Sequence, residues 1–582
     1  MESPTGSGHP HLLTVLSERA QRTPRARAFT FLDDGERTET PLDYATLHER
    51  AGRIAERLRT RVEPGERVVL LYPYHTGLDF IAAFFGCLYA KVIAVPAYPP
   101  DPNRLAASGP RLRQILLDCG ARIALVPSPQ FAQSVQRTAV LQAAGQVTLL
   151  ATDDLSGSAT WCDPTIEASD VAFLQYTSGS TAAPRGVAIR HANIMSNLER
   201  IERILGPSSA SVGVGWMPLY HDMGLIGNVL SSVYTQMHMV LMSPLHVLQR
   251  PVRWLQAVGR FGATHSGAPN FAYDMCLRRI TEEQRQTLDL RTWSVAFNGA
   301  EPVRAQTVVD FAKTFGPCGF ELKHFHICYG MAEYTLLIGA STPRIRRLSR
   351  KGLAAGRAEQ DETGPDAALV VSSGNANDTD GKLRIVDPER REPPSPGHIG
   401  EIWLHGPSVA DAYWGNPSAS EATFHNTLNS EPGARFLRPG DLGYIDAQGY
   451  FYVVGRSKDV LIVRGRKLHA ADVEQTVERS HAALRAGTAA AFSVEAGGEE
   501  SFVVSVALDL HMKSAAKAAI DAILQALAAT HEARPHAIVL LRPGGVRKTT
   551  SGKIQRQATR AAYMSGGLDA VATWQAPADS PA

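Results

Sequence analysis

The chain has 582 residues, 44% of them hydrophobic and 20% charged, which is too long for one core and too apolar for a disordered or fibrous protein. Lys and Arg total 59 against 57 for Asp and Glu, so no overall field points to nucleic acid or an anionic membrane as partner. The six cysteines are scattered, with no Cys-x-x-Cys, which argues against a disulfide framework or structural zinc and fits a reducing cytoplasm.

The start, Met1 to Pro10, has no apolar core, so no secretory signal is expected. Leu12, Leu13, Val15 and Leu16, then Tyr44, Leu47, Ala51, Ile54, Ala55 and Leu58, recur at helical spacing. The most apolar run, Phe80 to Ala97, is interrupted by Lys91 and Pro96 and reads as helix then strand, not as a transmembrane segment. Strands are predicted at Val68–Leu71, Val92–Val95 and Ile123–Val126, with helices at Leu78–Ala90 and Leu112–Cys119 between and after them. Further strands at Val171–Tyr176, Val214–Pro218, Ser294–Phe297 and Phe325–Cys328 continue the rhythm of a layered α/β fold with parallel pairing.

After Gly339 the texture turns polar and poorly periodic. The stretch Ser341–Ala368, with its arginines, acids and glycines, reads as a solvated surface excursion. A β-rich part follows, with strands at Arg384–Val386, Gly400–Leu404 and Gly449–Val454. The final segment reads as a small α/β unit: helices Ala471–Ser480 and Ala515–Thr530, strands Ala489–Val494, Ser501–Leu508 and Ala537–Leu541. The expected division is a large domain, 1–457, and a small one, 458–582, whose Gly/Ala/Pro-rich tail after about 565 is expected to be disordered.

Several segments carry chemistry. Thr177, Ser178, Gly179, Ser180 and Thr181, with Pro184-Arg185-Gly186 behind them, suit a loop whose N–H groups, hydroxyls and guanidinium wrap phosphate oxygens. Taken alone the cluster is equally a surface turn, and it lacks the Gly-Lys-Ser/Thr of a P-loop. Later come Met217 to Gly224 with His221, Asn298-Gly299-Ala300-Glu301-Pro302, and Tyr329-Gly330-Met331-Ala332-Glu333. Gly440-Asp441-Leu442-Gly443, Gly455-Arg456-Ser457-Lys458-Asp459 and Lys548 to Arg556 with Lys553 complete the series. Each has a plain structural reading: a buried histidine, a strand exit, a tyrosine beside a surface glutamate, a β-turn, a solvated lysine.

In this order the segments resemble the signature motifs of the adenylate-forming superfamily. Leu70 to Pro73, Gly86 to Ala90, Pro96 to Pro100, Leu174 to Tyr176, Tyr220 to Gly224 and Pro269 to Tyr273 resemble its fatty acyl-AMP ligases. Departures are Ala182 for a glycine, Arg185 for a lysine, Ala332 for a threonine, and Val371 to Asn375 where Ser-Cys-Gly-Arg-Pro is expected. The resemblance implies ATP and Mg²⁺, with the Thr177–Thr181 loop and Arg185 on the triphosphate and Glu333 on the metal. It places Asn298 to Glu301 and Tyr329 to Ala332 at adenine and the α-phosphate, and Asp441 and Arg456 at the ribose. Lys553 would be the catalytic lysine, His221 a gate beside the substrate carboxylate, and Lys458 the hinge. Trp216, His221, Ala268, Pro269, Asn270 and Phe271 would line the acyl pocket. The implied reaction activates a medium- to long-chain fatty acid and delivers it to the phosphopantetheine of an acyl carrier protein of a polyketide or nonribosomal assembly line. A fatty acyl-CoA synthetase is the rival enzyme, and a non-catalytic adenylate-binding protein the rival of another class. The resemblance further implies that the stretch after Glu333 contacts the small domain and disfavours the orientation that admits coenzyme A.

Overall fold

The computed structural model describes residues 8–99, 105–136, 147–153, 165–177, 184–364, 367–379, 383–463, 466–496, 499–549 and 552–576. Two sheets built on parallel strands form the large part. One is eight-stranded, in spatial order 337–341, 325–330, 295–298, 265–268, 212–215, 238–242, 27–32 and 39–43. Its interior pairings are parallel and only its two edge pairings antiparallel. The other is six-stranded, running 148–151, 123–126, 67–71, 93–97, 171–177 and 185–190, again parallel except at its last pair. The helices Tyr44–Arg59 and Gly77–Tyr89 sit in one large apolar cluster with residues of both sheets. Gly86 permits this closeness: a Cβ there would meet the Ile54 side chain at 2.6 Å. The expected strands and helices of this part are present, most with ends shifted by a few residues; the helix expected at Leu112–Cys119 begins earlier, at Leu105. Strand 212–215 stops at Gly215, short of the expected Pro218, and the chain turns at Met217–Tyr220.

A five-stranded sheet, in order 374–375, 450–456, 441–445, 400–404 and 383–386, is the β-rich part. Beyond Val460 a four-stranded sheet, 490–496, 499–507, 537–541 and 570–575, packs with helices Ala470–Arg479 and Ala516–His531 around an apolar cluster of its own.

Two expectations are corrected. The stretch Ser341–Ala368 is not merely solvated: strand Ile345–Leu348 pairs antiparallel with Ala368–Val371, and helix Arg350–Ala354 lies between them. Leu348, Leu353 and Ala368 are buried with Tyr444 and Tyr452 in a small separate cluster, so the excursion has a local core donated partly by the β-rich sheet. The tail after residue 565 is not disordered through its length. Ala570–Gln575 pairs antiparallel with Ala537–Leu541, Trp574 packs against the small unit's core, and Arg534 stands 5.2 Å from the centre of its ring. Only residues from 577 onward lie outside the described part of that tail.

Candidate active site

The carboxyl ends of four adjacent parallel strands in the eight-stranded sheet, at Gly330, Asn298, Ala268 and Gly215, bring most of the sequence-predicted residues to one edge. Ligands of open α/β sheets bind outside such ends. The chain approaches itself closely here. A Cβ on Gly330 would lie 2.1 Å from the Leu336 carbonyl oxygen, and one on Gly299 2.6 Å from that of Cys328. Ala300 takes φ 67°, a left-handed conformation that costs a non-glycine residue and is held at functional edges by the surrounding structure.

Both oxygens of Asp441 are hydrogen-bonded. Tyr329 donates its hydroxyl to Oδ2 at 2.6 Å and Arg456 its Nε–H to Oδ1 at 2.7 Å. Burial, reinforced by Asp441, pushes the Tyr329 hydroxyl well above its ordinary range, so it remains a donor. Asp441 in turn raises the Arg456 guanidinium further. The Tyr329 ring meets Phe451 edge-on, centroids 6.0 Å apart. Glu333 accepts from the Tyr413 hydroxyl at 2.8 Å, and Arg185 lies over the same tyrosine ring, 5.3 Å from its centroid. Tyr413 thus joins the end of the Thr177–Arg185 segment to Glu333. It was not among the predicted residues; the aromatic pair Tyr413-Trp414 before Gly415-Asn416-Pro417 was the available signal. Ser178, Gly179, Ser180 and Thr181 lie outside the described residues, whereas Thr177 is paired with Arg185 in the antiparallel ladder.

His221 Nδ1 lies 2.6 Å from Asp222 Oδ1, and that oxygen also accepts the Met223 N–H at 2.7 Å, capping the helix that begins there. Burial opposes the charge on Asp222, but His221 and Lys553 outweigh it and hold the carboxyl below its ordinary value. Lys553 answers in kind: burial lowers its ammonium, and Asp222 is the foremost charge resisting that. The hairpin carrying Lys553 is tight, with Lys553 N–H on Thr549 Oγ1 at 3.0 Å and Thr549 N–H on the Lys553 carbonyl at 2.8 Å. It seats against Phe271, since a Cβ on Gly552 would stand 3.1 Å from that ring. Lys458 is exposed in a short turn, Ser457–Asp459, between the five-stranded sheet and strand 460–463.

The predicted acyl residues divide. Trp216 and Ala268 are buried, and the Trp216 ring meets Phe271 edge-on at 6.5 Å and Trp254 at 5.7 Å. Asn270 belongs to a polar knot instead. Its amide reaches Thr307 and Asp274, each at 3.3 Å, and its carbonyl accepts the Arg304 N–H at 3.1 Å. Glu301 likewise holds the large part together, accepting the Phe271 N–H at 2.6 Å. A separate small apolar recess, with a cavity volume of about 20 Å³, lies among Phe31, Tyr72, Tyr74, Met217 and Tyr220. None of the six predicted acyl residues lines it.

Residues 16–414 match the family model described as AMP-binding enzyme. The chain belongs to the AMP-binding enzymes, among their fatty acyl-AMP ligases. Residues 458–573 of this AMP-binding enzyme match a second model, Disco-interacting protein 2-like, AMP domain. It is 38% identical to the medium-chain-fatty-acid–[acyl-carrier-protein] ligase JamA of Moorena producens, over 97% of this chain and 96% of that one. It is 33% identical to the long-chain-fatty-acid–AMP ligase FadD32 of Mycolicibacterium smegmatis, over 93% and 92%. A crystal structure of the fatty acyl-adenylate ligase from Legionella pneumophila, in complex with acyl adenylate and pyrophosphate, superposes with TM-score 0.74 at 33% identity, covering 98% of each chain.

Proposed function

We propose that this enzyme converts a medium- to long-chain fatty acid and ATP to acyl-adenylate and pyrophosphate, then passes the acyl group to the phosphopantetheine thiol of an acyl carrier protein. The observation that carries the reading is the seating of the Lys553 hairpin on Phe271, facing Asp222 from a distant part of the chain. A carboxylate is a poor electrophile, and its attack on the α-phosphate requires two anions to be brought into line with their charge neutralised. Lys553 supplies one cation at that meeting point, to carboxylate and α-phosphate oxygens in turn. Asp441, held by Tyr329 and Arg456, offers a fixed carboxylate to the ribose hydroxyls, and Arg185 a guanidinium to the β- and γ-phosphates. Asn298 to Glu301 and Tyr329 to Ala332 form the adenine wall, where the glycines allow close approach.

The Glu333 carboxylate, with one oxygen turned to Tyr413, is the hard donor that Mg²⁺ takes in company with substrate phosphates. When bound, the ion neutralises charge on the departing pyrophosphate. The acyl chain is assigned to the apolar wall of Trp216, Ala268 and Phe271, beside His221. Each buried methylene adds ~0.8 kcal/mol, so neighbouring chain lengths differ only a few-fold in affinity.

The test is pyrophosphate release with a series of fatty acids, followed by intact-mass analysis of a holo carrier protein. Release together with an acylated carrier supports the reading. Release followed by rapid acyl-CoA formation, with no acylated carrier, would replace it with the acyl-CoA synthetase. No release with any fatty acid would sink both.

A further inference from the structure

Among the described residues, two ion pairs cross from the large part of the chain to the unit carrying Lys553, and both end on the helix Ala470–Arg479. Near its start, Arg350 of the 345–371 hairpin grips Asp472 with two bonds, Nε–Oδ2 at 2.8 Å and Nη2–Oδ1 at 2.9 Å. Near its end, Arg304 Nη2 lies 2.8 Å from Glu478 Oε2. The second pair is tied to the nucleotide-facing edge itself. Arg304 follows Glu301 by three residues, and its backbone N–H is fixed on Asn270, whose carbonyl also faces the Asn298 amide at 3.4 Å.

Glu478 is built as a strut. Its side chain is 2% exposed, and its other oxygen accepts the N–H groups of Thr488 and Ala489, both at 2.8 Å. One carboxylate oxygen is thereby held by backbone N–H groups of the small unit, while the other, with no hydrogen bond aligned to it among the described residues, lies at ion-pair distance from Arg304 of the large part. Lys548, at the base of the hairpin that presents Lys553, is held under the charges of Glu301 and Glu478 together. Asp274 Oδ2 stands 3.9 Å from Arg304 Nη1, so the arginine keeps a carboxylate in its own part when Glu478 departs. Breaking the pair therefore does not strand a cation without a partner, the circumstance that makes most enclosed ion pairs costly to part.

We propose that Arg304 and Glu478 are positioning residues for adenylation: their pair seats the small unit so that Lys553 reaches the reacting carboxylate, and it opens for acyl transfer. The proposal rests on the functional reading above, in which Lys553 serves the first half-reaction, and on the turn of the small unit about Lys458 that the family resemblance implies for the second.

Glu478→Gln removes the charge while its amide oxygen can still accept the Thr488 and Ala489 N–H groups, so the small unit should stay folded; a thermal melt checks this. The two half-reactions are measured apart, as pyrophosphate release at saturating ATP and fatty acid, and as single-turnover transfer from preformed acyl-adenylate to a holo carrier protein. Expected is a loss of about tenfold in kcat for adenylation, as when the productive orientation falls to a tenth of the population. KM for ATP should stay within about twofold and transfer should be as fast as in wild type or faster. Arg304→Lys, which keeps the charge but not the fork, should give an intermediate loss. Joining Arg304→Glu to Glu478→Arg should recover part of the rate. Equal slowing of both half-reactions, a raised KM for ATP with unchanged kcat, or a folded Glu478→Gln protein of wild-type rate would overturn the proposal. Failure of the wild-type protein to release pyrophosphate would overturn the functional reading instead, and this proposal with it.

Discussion

At Glu301, burial favours the neutral carboxyl and raises it from an ordinary 4.5 to about 6, although the Phe271 N–H, Arg304 and Lys548 pull the other way. The folded chain then keeps a proton that the unfolded chain releases between about pH 4.5 and 6. Stability falls as pH rises through that window and stays lower above it. At ~1.4 kcal/mol per pH unit the cost is on the order of 1–2 kcal/mol. Glu301→Gln keeps an acceptor for the Phe271 N–H and removes the charge. The variant should melt higher than wild type at pH 7.5, with the gap closing below pH 4.5. A lower melting temperature at pH 7.5 would mean that the attraction of Lys548 and Arg304 exceeds the burial penalty. Lys553 has the opposite character. Its ammonium is lowered by burial but sustained by Asp222, so Lys553→Ala removes a preorganised donor and should cut adenylation by about 10²–10³. ATP binding, read by calorimetry, should survive, because the ribose and adenine contacts assigned above lie outside the hairpin. Adenylate formation near the wild-type rate would reassign the lysine.

Among the elements, the final strand offers the plainest test. Ala570–Gln575 lies at the sheet edge, with the half-buried Trp574 packed on the small unit's core and Arg534 over its ring. Trp574→Ala should cost about 1–3 kcal/mol, at the lower end for core aromatics because the ring is only half enclosed. Urea unfolding of the full chain measures it, and an unchanged midpoint would show that the strand's docking contributes nothing. This strand and the 345–371 hairpin are the two places where the sequence led to an expectation of disordered or solvated chain and the fold packs an element instead, for a common reason. Each consists of short strands of four to six residues and completes its burial against residues remote in the chain, Tyr444 and Tyr452 for the hairpin and strand 537–541 for the tail. Local periodicity registers only what one segment contributes. Parallel strands such as Val68–Leu71 and Ile123–Val126 were legible because they are buried along nearly their whole length and so read as unbroken apolar runs. The site was legible as motifs but not as a circuit. Tyr413, Asp222, Arg304 and Glu478 acquire meaning only once the sheets set them beside Arg185, Lys553 and each other.

At the scale of the molecule, the question is which orientations the small unit can adopt, and the hairpin at 345–371 bears on it directly. Arg350 and Asp472 form a two-bonded pair, each side chain 21% exposed, and such forked pairs hold geometry better than single contacts. If the orientation that admits coenzyme A requires this pair to open, a penalty of about 2.7 kcal/mol leaves roughly one molecule in a hundred competent. A single ion pair with this exposure supplies part of that, and the packing of Leu348 and Leu353 keeps the arginine in place. Arg350→Ala should therefore raise acyl-CoA formation several-fold without abolishing adenylation, since Arg304 still holds the other end of the helix at Glu478. Shortening the stretch between Ser341 and Ala368 should raise it further, at some cost in stability from exposing Tyr444 and Tyr452. Acyl-CoA and acyl-carrier products are quantified by mass spectrometry from one reaction containing both thiols in excess. Unchanged acyl-CoA from both variants would show that the hairpin does not govern the choice of thiol, and would move the discrimination to the pocket that receives the pantetheine arm.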